Sequence, residues 1–383
     1  MIPYSRQIIS EDDISAVVDV LRSDLLTQGP VVKRFESAVA RYCGAAHGIA
    51  TVNATAALHI AIMLLEVGPN DYVWAPAISF VATANCARYC GATVEFVDVD
   101  VSTGLICVDD LKNRLFEAKR LNALPKVLIV VHIAGQSANM KQISELCQEY
   151  DIKVVEDAAH AFSGEYRGGR IGCCDFSDIT VFSFHPVKPL TAGEGGMLIT
   201  NDSDMASRAR MLIEHGIERD TNNHMTPNDS FWYYEQHELG YNYRLSDIHS
   251  ALGLSQLTRV DHFLRERESL ADYYITQLCD QSLYSLWRDP ECRPSWHLFV
   301  VQCTGQEKRN VLMNYLRQEG YGTNLHYLPI PSQPYYKRLG ARLNDFPNAC
   351  RYAEISVSLP LFPGLELQDI DKIISSCQRA IKM

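Results

Sequence analysis

The middle of the chain alternates short apolar runs with stretches whose apolar residues recur at helical spacing. Val127 to Ile133 is a continuous run ending at Gly135, the pattern of a strand buried on both faces. Asn139 to Tyr150 carries Met140, Ile143, Leu146 and Cys147 along one side, which predicts an amphipathic helix. Val154 and Val155 form the next strand, which ends in Glu156 and Asp157, and Ile179 to Phe184 and Met197 to Thr200 predict two more. Nearer the start, Asn53-Ala54-Thr55 opens a helix through Leu58, Ile62 and Leu65 that stops at Gly68-Pro69. Strands alternating with helices predict a parallel sheet wrapped by helices, an α/β fold.

After about residue 245 the pattern changes. A long helix is expected from Ser246 to about Tyr274, then strand-like Leu298 to Cys303, helix-like Glu307 to Glu319 and a closing helix from Leu367 to Ile381. The expected organisation is a large α/β domain over residues 1–245, including the N-terminal segment. Residues 246–383 then give a linking helix and a smaller α+β domain. Gly216 to Gly240 is polar, aromatic-rich and aperiodic, as a functional loop or lid is. No internal repeat is visible.

Composition narrows the function classes. Of 383 residues, 47% are hydrophobic and 21% charged, which excludes collagen-like, low-complexity and wholly disordered chains. With 46 acidic against 35 basic residues the formal charge is −11, so the chain lacks the basic footprint that holds a nucleic-acid backbone. A local basic pocket for one phosphorylated small molecule stays open. The twelve cysteines form no CxxC pair and read as reduced thiols packed as small apolar residues, with no metal site. Met1 to Asp13 has no apolar core, so no signal peptide is read there. The uncharged stretch Ala45 to Leu65 is interrupted by His47, Asn53, Thr55 and His59, which favours a buried loop and helix over a membrane span. A cytoplasmic enzyme is expected.

Three local features carry candidate chemistry. Glu156-Asp157-Ala158-Ala159-His160 ends an apolar strand, where a carboxylate alone would be read as a helix cap. Ser183-Phe184-His185-Pro186-Val187-Lys188 follows the next strand, and a lone lysine is ordinarily a solvated surface charge. Gly193-Glu194-Gly195-Gly196 matches neither a dinucleotide nor a P-loop pattern. Together they say more, because ligands of a parallel sheet collect at the carboxyl ends of its strands. A carboxylate and a lysine converging there are what pyridoxal phosphate requires: a lysine to form a Schiff base, and a carboxylate to keep the ring nitrogen protonated. Ala54-Thr55 at a helix start and the Ser183 hydroxyl are candidate phosphate contacts.

The string Ser183-Phe184-His185-x-x-Lys188 with Gly193-Glu194-Gly195-Gly196 resembles the cofactor-lysine motif of the DegT/StrS sugar aminotransferases, fold-type I pyridoxal phosphate enzymes. Leu26 to Pro30, Pro76 to Asn85, His132 to Gln136, Glu156 to His160, Gly240 to Leu245, Gly253 to Leu257, His326 to Pro329 and Ser358 to Pro360 follow in the family's order. The resemblance implies a large domain with a mostly parallel sheet flanked by helices and a smaller C-terminal α+β domain. It implies that Lys188 is the cofactor lysine and Asp157 the partner of the pyridine nitrogen. His160 would lie near the ring's phenolic oxygen and Phe80 would stack on the ring. Ala54, Thr55 and Ser183 would bind the phosphate. Asn242 would reach the phosphate of a neighbouring subunit, the family being homodimeric with shared sites. Position 54 is Ala where relatives often have Ser or Gly, so only its backbone can contribute.

The same resemblance implies L-glutamate as amino donor and a nucleotide-linked keto sugar as acceptor. A branch that replaces the lysine with histidine dehydrates sugars instead, and Lys188 argues against it. Tyr4-Ser5, Ile78 to Asn85, Phe182 to Pro189 and Gly253 to Leu257 look most like the subgroup acting on pseudaminic acid precursors. That subgroup aminates C4 of a UDP-linked 4-keto-6-deoxy-N-acetyl-hexosamine to UDP-4-amino-4,6-dideoxy-N-acetyl-β-L-altrosamine. Tyr4, Arg244, His326 and Tyr327 are candidate sugar-nucleotide contacts or structural interface residues. The alternatives are a UDP-linked bacillosamine or legionaminic acid precursor, a dTDP-linked keto sugar, or a non-catalytic regulatory member of the fold.

Overall fold

The computed structural model describes residues 1–226, 228, 230–278 and 283–382. Two positions of the expected lid, 227 and 229, therefore lie outside the described residues. The first strands are β1 (His47–Thr51), β2 (Tyr72–Pro76), β3 (Thr93–Val97), β4 (Val127–Val131) and β5 (Lys153–Asp157). After a short hairpin, β6 (Glu165–Tyr166) and β7 (Gly169–Arg170), come β8 (Ile179–Ser183) and β9 (Gly196–Thr200). Seven of these form one sheet in the order β1-β9-β8-β5-β4-β2-β3. Every pairing from β8 to β3 is parallel, and β9 alone runs the other way. Helices cover the sheet, which buries β4, β8 and β9 completely and accounts for the unbroken apolar sequence of β4 and the mainly apolar sequences of β8 and β9.

In the remainder, β10 (Ile217–Glu218) pairs with β11 (Glu235–Gln236) within the expected lid. β12 (Leu283–Ser285), β14 (Phe299–Cys303) and β15 (Ser356–Leu359) make a three-stranded antiparallel sheet, while β13 (Cys292–Arg293) adds to the β6–β7 hairpin. Helices Gln306–Gln318 and Leu367–Ile381 pack on the smaller sheet around a second core that includes Tyr274, Phe299, Val357 and Ile373.

Three expectations are corrected. The run from Val127 ends as a ladder at Val131, because Ile133–Gly135 turns tightly and Gly135 adopts a φ of +100°. A Cβ there would stand 3.0 Å from both the His160 carbonyl and the Trp296 nitrogen, so glycine lets the 295–298 segment lie against the strand end. The helix expected from Ser246 to Tyr274 is two helices, Asp247–Leu257 and Val260–Gln277. At the break the Thr258 hydroxyl bonds back to the Ser255 carbonyl at 2.7 Å, and the Arg259 guanidinium pairs with buried Asp13. The stretch Ala45 to Leu65 holds a strand, β1, before its helix Ala54–Leu64.

Arg267 is the largest fully buried side chain among the described residues. One of its guanidinium nitrogens donates to the carbonyls of Trp296, His297 and Leu361 at 3.1, 3.4 and 3.1 Å. Hydrogen bonds to a charged group are worth about 1.5–3 kcal/mol each, so this cation pins the approach to β14 against the segment after β15. Among the described residues, no helix is long and apolar enough to cross a membrane and no side-chain cluster has metal-binding geometry. The eleven described cysteines are all free.

Candidate active site

The carboxyl edge of the sheet assembles the site. β5 ends at Asp157 and β8 at Ser183. β9, running back, begins at Gly196, which is in register with both Ser183 and Thr51. Three residues beyond Thr51 the helix Ala54–Leu64 starts, capped by the Asn53 side chain accepting from the Ala56 N–H at 2.9 Å. The N–H groups of Ala54 and Thr55 have no acceptor within the helix and point out of its positive end. A Cβ at Gly196 would come within 2.5 Å of the Asn53 carbonyl carbon and 2.6 Å of the Ala54 nitrogen. Only glycine lets this helix start sit on the sheet edge. Gly196→Ala is expected to weaken binding of a phosphorylated cofactor by about tenfold, in line with the cost of overpacking; titration of the apoprotein measures it.

A crevice of about 490 Å³ opens at this edge, lined by ten of the twelve residues singled out from sequence: Tyr4, Ala54, Thr55, Phe80, Asp157, His160, Ser183, Lys188, His326 and Tyr327. Asn242 and Arg244 do not line it. Asn242 bridges to the Glu214 backbone. Arg244 pairs with Thr51 by its backbone and lines a separate crevice beside Glu36 and Arg210, its Nε buried without a partner.

Asp157 is buried, and its Oδ2 accepts from the Thr83 hydroxyl at 2.7 Å while Oδ1 accepts from the Ala159 N–H at 3.2 Å. Because Thr83 donates to the carboxylate, the Ser79 hydroxyl 2.6 Å away donates to Thr83. Burial raises the Asp157 pKa above the ordinary carboxylate value, and the bonds from Thr83 and Ala159 and the charge of Lys188 oppose it. A carboxylate so placed gains from a cation in the crevice. Neighbouring Glu156 serves the fold instead. Burial would raise its pKa, but bonds from His132 (2.6 Å), Ser177 (2.5 Å) and Thr180 (3.2 Å) outweigh that and lower it. The Ala138 N–H donates to His132 Nδ1 at 3.2 Å, so His132 Nε2 carries the proton donated to Glu156.

Lys188 follows β8 in a turn closed by its own N–H to the His185 carbonyl at 2.9 Å. Burial lowers its pKa to about 8, although the Asp157 charge pulls the other way. A lowered lysine pKa leaves the amine neutral, and nucleophilic, above that pH. Attachment of pyridoxal phosphate to the apoprotein is therefore expected to speed up about tenfold per pH unit below pH 8 and to level off above it. Stopped-flow absorbance checks this; a rate still climbing at pH 10 would mark an ordinary solvated lysine.

Three histidines close the far wall. His160 Nε2 lies 2.9 Å from the Tyr327 hydroxyl, and its Nδ1 is buried without a partner. His297 packs on the His160 ring with centroids 4.5 Å apart. Burial, then the Lys188 charge, pushes the pKa of both well below the ordinary value, and the same causes lower His326 to about 3. All three are neutral at pH 7. His326 Nδ1 lies 2.7 Å from the Ser358 hydroxyl. Phe80 is 56% exposed at the mouth, its ring 6.1 Å from that of Tyr327.

Sequence reasoning did not single out Thr83, Ser79, Glu194, His297 or Asn324. Ser79, Glu194, His297 and Asn324 line the crevice, and Thr83 reaches it through Asp157. The hydroxyls of Ser79, in the bend before the helix Ala82–Tyr89, and of Thr83, in its first turn, were the legible signal. His297 had none.

The residues present fit pyridoxal phosphate: a helix start and two hydroxyls for its phosphate, a buried carboxylate for its ring nitrogen, and a desolvated amine for its aldehyde. The family description DegT/DnrJ/EryC1/StrS aminotransferase matches residues 7–378. The chain is 36% identical to the spore coat polysaccharide biosynthesis protein SpsC of Bacillus subtilis, over 100% of this chain and 97% of that one. The putative sugar aminotransferase Spr1654 of Streptococcus pneumoniae, in its pyridoxamine phosphate form, superposes with a TM-score of 0.92 at 29% identity, covering 100% of this chain and 99% of that one. Helicobacter pylori PseC, an aminotransferase of pseudaminic acid biosynthesis, superposes with a TM-score of 0.90 at 28% identity, over 100% and 99% of the two chains. The chain belongs to the DegT/DnrJ/EryC1/StrS aminotransferase family and is a pyridoxal-phosphate-dependent sugar aminotransferase of fold type I.

Proposed function

We propose that this enzyme transfers the amino group of L-glutamate to C4 of a UDP-linked 4-keto-6-deoxy-N-acetyl-hexosamine, giving UDP-4-amino-4,6-dideoxy-N-acetyl-β-L-altrosamine. The observation that carries the chemistry is the convergence, in one crevice, of Lys188 with its lowered pKa and the buried carboxylate of Asp157. The likeness to PseC supports the choice of sugar. The higher identity to SpsC, a spore coat polysaccharide protein, favours as second reading another nucleotide-linked keto sugar.

Bound pyridoxal phosphate supplies an aldehyde that takes up an amino group and a ring that withdraws electrons from it. The chain's residues do the rest. Lys188 would hold the cofactor and, once freed by the donor, its Nζ would carry the proton that the amino transfer moves. Asp157, aimed by Thr83 and Ala159, keeps the ring nitrogen protonated, an electrostatic contribution present before the reaction starts. The N–H groups of Ala54 and Thr55 and the hydroxyls of Thr55 and Ser183 hold the phosphate. His160 would sit by the phenolic oxygen, and Phe80 would cover one face of the ring. Tyr4, His326 and Tyr327 are assigned to the sugar nucleotide.

Asn242 lies outside its own chain's crevice, which supports a homodimer in which it reaches the phosphate of the other subunit's site. The free cysteines support a reducing, cytoplasmic setting. The test is a panel of keto sugars with ¹⁵N-labelled L-glutamate, read by mass spectrometry. The L-configured UDP sugar is expected to exceed the D-configured and dTDP-linked sugars in kcat/KM by about a hundredfold. Preference for either of the others overturns the choice of sugar.

A further inference from the structure

The first residues of the chain are bonded into the side of the crevice opposite the large sheet. The Ile2 N–H donates to the Gly320 carbonyl at 2.9 Å, and the Ile2 carbonyl accepts from Gly322 at 2.7 Å. The Tyr4 carbonyl accepts from the Leu361 N–H at 3.0 Å. A Cβ on Gly322 would lie 2.9 Å from the Tyr4 nitrogen, so the two backbones are flush. Arg6 places its guanidinium 5.2 Å from the Phe362 ring centroid, and the Tyr4 ring stands 5.3 Å from that of His326. This segment is anchored to the elements that carry the histidine wall.

From it one hydrogen bond crosses to the sheet side. Ser5, only 5% exposed, donates its hydroxyl to the Val187 carbonyl at 3.0 Å. That carbonyl belongs to the peptide unit joining Val187 to Lys188. The other bonds of this turn stay within it: Lys188 N–H to His185, and the Ala192 N–H and Thr191 hydroxyl to the Phe184 carbonyl at 2.9 and 3.2 Å. They close the turn and hold the N–H end of the Val187–Lys188 peptide, while its carbonyl end takes its bond from Ser5 across the crevice. We infer that Ser5 is a positioning residue for Lys188, its hydroxyl fixing the peptide from which the lysine springs and so the place of the amine in the crevice. Ser5 touches neither substrate nor cofactor in this role; it acts through the backbone of the turn. A displacement of about 1 Å at a reacting group costs on the order of a hundredfold in rate, so loosening one peptide is expected to cost less than that but to be measurable.

The inference rests on Lys188 being the cofactor lysine, and the experiment separates the two. In the apoprotein, acetylation of Lys188 by acetic anhydride is followed by mass spectrometry from pH 6 to 11, with exposed Lys372 as internal reference. In the holoenzyme, the single-turnover rate with L-glutamate is measured as a function of donor concentration. Ser5→Ala is expected to move the acetylation midpoint of Lys188 upward, toward that of a hydrated amine. It should also slow the single turnover about tenfold, with half-saturation by glutamate unchanged within twofold. Ser5→Gly is read in the same two ways, so that misfolding of one variant leaves the other. A wild-type midpoint in the variants overturns the inference, whatever the rate, because a merely structural serine would leave Lys188 titrating as before. A shifted midpoint with a wild-type rate overturns it as well. Turnover by Lys188→Ala would instead overturn the underlying assignment of the lysine.

Discussion

Lys188→Ala is expected to abolish turnover, lowering kcat by at least about 10⁴-fold, and saturating pyridoxal phosphate should not restore it. The lysine has two duties in the proposed reaction, and alanine fills neither. It anchors the cofactor covalently, and its freed amine moves the proton. General acid–base catalysis alone contributes about 10²–10⁴-fold, and the loss of a placed nucleophile adds to that. Among the described residues no other lysine lines the crevice, so no neighbouring amine takes over. The three histidines beside it are held neutral by burial and by Lys188 itself. Removing the lysine charge eases that restraint but supplies no flexible primary amine. Steady-state release of 2-oxoglutarate checks the result, and folding is verified by an unchanged melting curve.

Asp157→Asn is expected to lower kcat by about 10³-fold while leaving the fold intact. The amide is nearly isosteric and can still accept from Thr83, but it offers the ring nitrogen no negative charge. Electrostatic stabilisation by a preorganised group is worth on the order of 10²–10³ in rate, and the buried setting of Asp157 places it at the upper end. The stability consequence has the opposite sign. Burial raises the pKa of this carboxyl in the protein without its cofactor, so the native state is penalised by ionisation as pH rises above the ordinary carboxylate range. The apoprotein of Asp157→Asn is therefore expected to melt at or above the wild-type temperature at pH 7, with the difference shrinking as pH falls. Melting curves of apo and cofactor-loaded forms, with single-turnover kinetics, check both halves.

The positions of Asp157 and Lys188 were legible because short runs rich in Val, Ile and Phe mark β5 and β8, and a parallel sheet collects ligands at the ends of such strands. The short strand β1 was not: His47-Gly48-Ile49-Ala50-Thr51 has one large apolar residue, and it pairs only with β9 at the sheet's edge. The break between the helices ending at Leu257 and starting at Val260 carries no glycine or proline. It accompanies the reach of Arg259 to Asp13, 246 residues away in sequence, and no local pattern encodes that pull. The support of Asp157 by Thr83 spans 74 residues and that of the Lys188 turn by Ser5 spans 182. Residues that carry chemistry stood at element ends and could be read. Those that aim them are chosen by tertiary contacts, as are Arg267 and His297 behind His160.

The central claim, that Lys188 and Asp157 run an amino transfer between glutamate and a keto sugar, is tested most directly by the visible absorbance of the cofactor-loaded enzyme. The band of the cofactor held by Lys188 should vanish on adding L-glutamate and return on adding the UDP-linked 4-keto-6-deoxy-N-acetyl-hexosamine. A protein with no visible band, or one whose band glutamate leaves unchanged, would contradict it.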